Sequence, residues 1–226
     1  MASSKRERQR QVQVESAPQM ALTKLVPKNL AQTLYLEAIK RSDVVFGVGS
    51  AGTGKTFVAA SYAAEMLFYR DVDRVIITRP NVEASRGLGF LPGELEDKYA
   101  PYLEPFNGVF IRAFGRSFYE NLKKNKKIEA KPIGFMRGET FDNAIVLIDE
   151  CQNMNEKEFK LILTRIGNNT KVIFSGDSKQ VDIEDSGLWP TIDRLKYIPG
   201  IETVEFYPQD IVRSQICKEI ILAYEG

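Results

Sequence analysis

Histidine is absent from the 226-residue sequence, and cysteine occurs only twice, as Cys151 and Cys217. The first absence excludes Ser-His-Asp catalysis and histidine-based metal sites, leaving carboxylates, lysine, arginine and a bound cation for any chemistry. The two cysteines stand far apart with no C-x-x-C, which fits reduced thiols. A formal net charge of +1 gives no global field to attract a polyanion, so any nucleic-acid surface must be a local patch. No apolar run approaches a membrane span, and the first fifteen or so residues are polar with no apolar signal core; the expectation is a cytoplasmic protein without a membrane partner. Hydrophobic content of 43% and charged content of 27% are ordinary for a globular protein, and the length suits one packed domain better than two.

What is present begins with Gly49, Ser50, Ala51, Gly52, Thr53, Gly54, Lys55 and Thr56, a complete G-x-x-x-x-G-K-[ST] loop. An apolar run, Val44 to Val48, precedes it and an Ala-rich stretch follows it, so strand, glycine turn and helix come in the order a phosphate site needs. Glycines let the backbone bend so that its N–H groups and the helix N-terminus face anions. Lys55 is expected on the β- and γ-phosphates and the Thr56 hydroxyl on Mg²⁺. The loop alone does not separate ATPase, GTPase and kinase.

Strands are expected at 43–49, 74–79, 143–149, 171–175 and 201–206, and helices at 30–40, 55–68, 155–166, 188–195 and 210–225. This alternation predicts an α/β fold, a mostly parallel sheet with helices on both faces. Asn155 with Glu158 reads as a helix start, and Asp210 as the cap of the last helix. Residues 1–20 read as a disordered basic tail and 21–226 as the folded domain. Between 81 and 137 the pattern loosens, with Pro92, Pro101 and Pro105 breaking it and lysines at 123, 124, 126, 127 and 131; an irregular insertion is expected there.

Ile145 to Ile148 followed by Asp149 and Glu150 is a buried strand ending in two acids. Asp149 is expected to hold the metal and Glu150 to orient or deprotonate a hydrolytic water. Ser175-Gly176-Asp177 closes the next strand, and Gln180 is placed to sense the γ-phosphate. Upstream lie Asn29 and Gln32; the Gln32 amide suits an adenine edge, and no N-K-x-D follows the acidic strand, so ATP is favoured over GTP.

Together with Thr78, Arg79 and Asn81, these residues make a set that resembles the first RecA-like domain of superfamily 1 helicases. Leu88 to Gly93, Met136-Arg137-Gly138, Leu163 to Gly167 and Asp210 to Arg213 are similar to the PhoH-like ATPases. The likeness runs from about Val26 to Gly226. It implies a RecA-like P-loop NTPase fold, ATP with Mg²⁺ as cofactors, ring-type homo-oligomers such as a hexamer, and a role in RNA metabolism. Cys151 departs from the family's small Ala, and Glu139 from its second Arg. Because superfamily 1 motors close two domains over ATP and the likeness covers only the first, translocation is not implied.

A single-stranded nucleic-acid surface is expected at Thr78, Arg79 and Asn81, with the lysines and the aromatics between Phe90 and Phe118 as weaker candidates against basic-face and core readings. Arg213, read as the first turn of the last helix, is expected to complete a neighbouring copy's site, with Arg79, Arg137 and Arg165 as alternatives. A non-hydrolytic ATP-dependent switch is the alternative function; a nucleotide kinase is disfavoured because no Arg-rich lid follows the loop.

Overall fold

The computed structural model describes residues 22–80 and 95–225. Asn81, the tail and Leu88 to Gly93 therefore lie outside the described residues. Six strands, β1 (Val44–Gly49), β2 (Arg74–Thr78), β3 (Ile128–Ala130), β4 (Ala144–Ile148), β5 (Thr170–Gly176) and β6 (Ile201–Phe206), pair in the order β3-β2-β4-β5-β1-β6. Every pairing is parallel.

Neighbouring residues on a strand point to opposite faces, and the core divides accordingly. Val45, Val75, Ile77, Ile145, Leu147 and Ile173 pack on one side with helices α1 (Leu30–Arg41), α2 (Lys55–Tyr69), α3 (Leu95–Phe114) and α4 (Arg116–Lys124). Phe46, Ile76, Val146, Ile148 and Phe174 pack on the other with α5 (Glu156–Leu163) and α6 (Leu188–Leu195). On that face Phe46 stacks on Phe174 at 4.7 Å, with Phe159 of α5 against both. Strands buried on both faces read as continuous apolar runs, and this is why β1, β4 and β5 are visible in the sequence.

Local signals fix the helix starts. Asn29 caps α1 by accepting from the Gln32 N–H, and Asn155 with Glu158 forms the expected capping box on α5.

Two expectations fail. Residues 95–137 are not an irregular insertion: they form α3, α4, the sheet edge β3 and a 3₁₀ turn at Ile133–Met136. Pro101 and Pro105 sit inside the 20-residue α3. An interior proline costs a helix about 3 kcal/mol, but α3 buries Phe106, Phe110 and Phe114, and burying one such side chain gains roughly 1.5–3 kcal/mol. Those same aromatics are therefore core, as is Tyr119, and are not platforms for bases. The second failure is the last helix. A 3₁₀ turn, Pro208–Asp210, ends before it, and α7 spans Gln215–Glu225. The Asp210 carboxylate accepts from the Tyr207 N–H at 2.9 Å, capping the turn instead. Among the described residues no helix is long and apolar enough to cross a membrane.

Candidate nucleotide site

The carboxyl ends of β1, β4 and β5 converge on a cleft of about 470 Å³ lined by the 51–56 loop except Thr53, together with Asp149, Glu150, Ser175 to Asp177, Gln180 and Arg213. Because β5 lies between β1 and β4, the Ser175–Asp177 segment stands between the glycine loop and the acid pair. Open α/β sheets bind ligands at this edge.

The loop is held from several directions. Gly49 has φ 130°, and a Cβ there would lie 1.9 Å from the Phe206 carbonyl oxygen, so only glycine lets the end of β1 pass this close to β6. The Ser50 N–H donates to that same carbonyl at 3.2 Å, and the Val212 N–H to the Gly52 carbonyl at 3.0 Å. The Asn29 amide donates to the Asp210 carbonyl at 2.8 Å. Gln32 is 1% exposed; its amide N–H donates to the Thr53 carbonyl at 2.8 Å and its oxygen accepts from the Lys28 N–H at 2.8 Å. Gln32 thus braces the loop, with both of its amide atoms bonded within the protein. Asn29 acts alongside it as cap and tether.

Lys55 is buried, and its ammonium donates to the carbonyls of Gly49 and Ser50 at 2.6 and 2.8 Å. Burial holds its pKa below the usual lysine value, opposed by the charge of Asp177. Thr53 is fully buried, donating its hydroxyl to the Ser50 carbonyl.

The acid side differs. The Thr56 hydroxyl donates to an Asp149 carboxylate oxygen at 3.0 Å. Burial, and then the neighbouring charge of Glu150, raise the Asp149 pKa, with the Thr56 hydrogen bond acting the other way. Glu150 adopts φ 52°, a left-handed conformation that is uncommon and costly for a residue with a side chain and is found at functional sites. Its carboxylate accepts from the Gln152 amide at 2.7 Å and lies 3.6 Å from the Arg79 guanidinium. Asp177 is 5% exposed, and its Oδ2 has no hydrogen-bond partner.

Gln152 falls in the stretch Asp149 to Asn153 that shares in the resemblance to superfamily 1 helicases, but the sequence assigns it no role. It donates to Glu150 and to the Gln180 carbonyl at 3.0 Å, and accepts from the Asp177 N–H at 2.9 Å, joining all three positions. Asn153 exchanges hydrogen bonds with Asp182 in the same loop. Their signal in the sequence is that motif alone, since two amides after an acid pair carry no periodicity. Cys151 packs fully buried against Gly176, and burial pushes its thiol pKa up, which suits an inert core residue.

Of the nucleic-acid candidates, Thr78 is 0% exposed at the end of β2, with its hydroxyl unpartnered, so it offers nothing to a strand; the expectation for it is corrected. Arg79 is part-exposed beside Glu150. The lysines disperse: Lys123 pairs with Glu120, and Lys131 with Glu139 and Glu129. Glu139 itself bridges Lys131 and Arg74, which explains an acid at this position. Arg213 lies ahead of α7, not in its first turn, and a Cβ on Gly52 would meet its side chain at 2.9 Å. It lines the cleft of its own chain.

The residues present fit a hard divalent cation held through few protein ligands: the Thr56 hydroxyl and the Asp149 carboxylate bonded to it. Mg²⁺ takes one or two carboxylates together with phosphate oxygens and waters.

Residues 24–225 match the family model described as PhoH-like protein. Protein PhoH of Escherichia coli (strain K12) is 41% identical over 205 residues, covering 88% of this chain and 58% of that protein. A PhoH-like protein of Bacillus subtilis (strain 168) is 41% identical over 201 residues, covering 88% of this chain and 63% of that protein. The chain thus spans about three fifths of the length of these relatives. Among solved structures, the large terminase from a thermophilic bacteriophage superposes with a TM-score of 0.53 at 14% identity, over 89% of this chain and 51% of that one. That likeness concerns the fold alone, an all-parallel α/β sheet of the RecA-like type.

Proposed function

Since the chain belongs to the PhoH-like protein family, we propose that it binds ATP with Mg²⁺ and hydrolyses it to ADP and phosphate. The observation that carries this reading is the Thr56 hydroxyl hydrogen-bonded to Asp149 at 3.0 Å, with Glu150 next in sequence and turned into a left-handed conformation. Lys55 and the backbone of residues 49–54 hold the phosphates. Thr56 and Asp149 would hold Mg²⁺. The cation, when bound, neutralises charge on the phosphate oxygens. Glu150 orients and deprotonates the attacking water; Gln152 fixes its carboxylate, and Gln180, carried on the loop that Gln152 holds, faces the γ-phosphate. Arg213 supplies positive charge from within the same chain.

Single-stranded RNA is the proposed polyanion partner, contacted through Arg79, whose pairing with Glu150 would link contact to turnover. A homo-oligomeric ring accords with the exposed apolar residues Leu30 and Leu34 on α1 and Ile216 and Ile220 on α7. Residues 21–226 are read as one ATPase domain.

The test is phosphate release from ATP by the full chain, with Mg²⁺ or with EDTA, and with or without single-stranded RNA. Mg²⁺-dependent release, lost in Lys55→Ala, supports the reading. Tight ATP binding with no release under any condition favours the non-hydrolytic switch.

A further inference from the structure

We propose that Arg79 is a latch on the catalytic base: in the free chain its guanidinium occupies the Glu150 carboxylate and holds turnover down, and a backbone phosphate of single-stranded RNA releases the base by drawing Arg79 away. This rests on the hydrolysis reading above and gives the link between RNA contact and turnover its sign.

The pair is built into the sheet. β2 and β4 run parallel with Thr78 beside Ile148, and the Asp149 N–H donates to the Thr78 carbonyl at 3.0 Å. The two strands thus stay joined to their carboxyl ends, and Arg79 and Glu150 leave the sheet as neighbours. Glu150 is turned by its left-handed backbone, and both of its carboxylate oxygens are engaged. Oε2 accepts from the Gln152 amide at 2.7 Å, and Oε1 lies 3.6 Å from the Arg79 guanidinium. A carboxylate that takes a proton from water needs an oxygen within hydrogen-bond reach of that water. Gln152 is itself fastened to Gln180 and Asp177, so the oxygen that can be freed is the one beside Arg79.

The latch is weak and within reach of a ligand. The Arg79 side chain is 41% exposed and that of Glu150 33%. At 3.6 Å the contact is longer than a charge-assisted hydrogen bond, and a part-exposed pair of this kind is held by modest, salt-screened attraction. A phosphate offers the guanidinium a shorter, bidentate partner. Once Arg79 has moved, Gln152 still orients the carboxylate through Oε2 while Oε1 faces the water.

ATP turnover by the full chain with Mg²⁺, with and without a single-stranded RNA oligomer, tests the latch in wild type, Arg79→Gln and Arg79→Lys, with ATP affinity measured by calorimetry alongside. Without RNA, Arg79→Gln should turn over about fivefold faster than wild type, the factor that matches an exposed ion pair, and should bind ATP within about twofold of it. RNA should add little to that variant. Arg79→Lys, which keeps the charge, should stay near the wild-type rate. An Arg79→Gln rate at or below wild type overturns the proposal, as does RNA stimulating this variant as strongly as wild type. Wild-type protein supplies a check independent of any variant: RNA should raise kcat by about fivefold and leave KM for ATP nearly unchanged, and an effect on KM alone overturns the latch. No turnover by any of the three proteins under either condition contradicts the hydrolysis reading on which the latch stands.

Discussion

On the loop side of the cleft the polar side chains are consumed by the fold: Gln32 holds Thr53, Asn29 holds Asp210, and even the Lys55 ammonium donates to two loop carbonyls. On the acid side, across the same cleft, Asp177 Oδ2 is buried without a partner, Asp149 is pushed toward protonation, and Glu150 occupies a costly backbone conformation. A buried polar atom left unpaired costs about 1–3 kcal/mol, and the Asp177 oxygen belongs to a residue that lines the cleft, where a ligand can satisfy it. The contrast assigns different duties to the two sides: the loop side fixes where phosphates sit, and the acid side retains unsatisfied capacity for the cation, the water and the transferred charge.

Breaking the comparison starts with the largest effect. Arg213→Ala should lower turnover by about 10³–10⁵, the range for an arginine on a transferring phosphoryl group. Because Arg213 lies against its own Gly52, mixing this variant with Lys55→Ala subunits should restore no activity; recovery in mixed particles would show that it serves a neighbour. Glu150→Gln should slow hydrolysis by roughly 10²–10⁴ with ATP binding kept, in line with loss of a general base. Gln152→Leu removes the amide shared by Glu150, Gln180 and Asp177. Turnover should fall by about 10-fold or more, from roughly 1–3 kcal/mol of lost positioning, while ATP affinity moves little; a fall in affinity alone would place Gln152 on the loop side of the comparison.

The smallest effect lies away from the cleft and sharpens what an ordinary ion pair does here. Burial works to raise the Glu139 carboxyl, but hydrogen bonds and charge from Lys131 and Arg74 outweigh it and hold its pKa below the usual glutamate value. A depressed carboxylate contributes stability above its unfolded pKa and loses it as pH falls through the folded one. Glu139→Gln should therefore cost about 1 kcal/mol or less at neutral pH, the scale of part-exposed pairs. In denaturant midpoints, the gap from wild type should close as the pH drops below about 4.

The sequence reveals the two sides unequally, and for physical reasons. The glycine loop, the apolar strands β1, β4 and β5, and the acids Asp149 and Glu150 are contiguous signals, each readable within a window of a few residues. Gln32, Gln152 and Arg213 are placed by contacts between distant segments, so residue type suggested candidates but not partners. Asp210 illustrates this: its chemistry suits a helix cap, yet the chain there is pinned to Asn29 and Gly52 and turns before α7 begins. In α3 the local signal from Pro101 and Pro105 was real, and packing of three phenylalanines overrode it. Strand β3 spans only Ile128–Ala130, too short for any alternation to show.

The most direct test of the division of duties is to measure ATP affinity and single-turnover hydrolysis side by side for Gln32→Ala and Glu150→Gln. The expected pattern is crossed. Gln32→Ala, leaving Thr53 without its brace, should weaken ATP and GTP alike by about tenfold, the scale of one lost buried hydrogen bond, and hydrolyse bound ATP near the wild-type rate. Glu150→Gln should bind as wild type and turn over at least about 100-fold more slowly. Parallel loss of affinity and rate in both variants, or a Gln32→Ala protein that loses only its preference for ATP over GTP, would contradict the account.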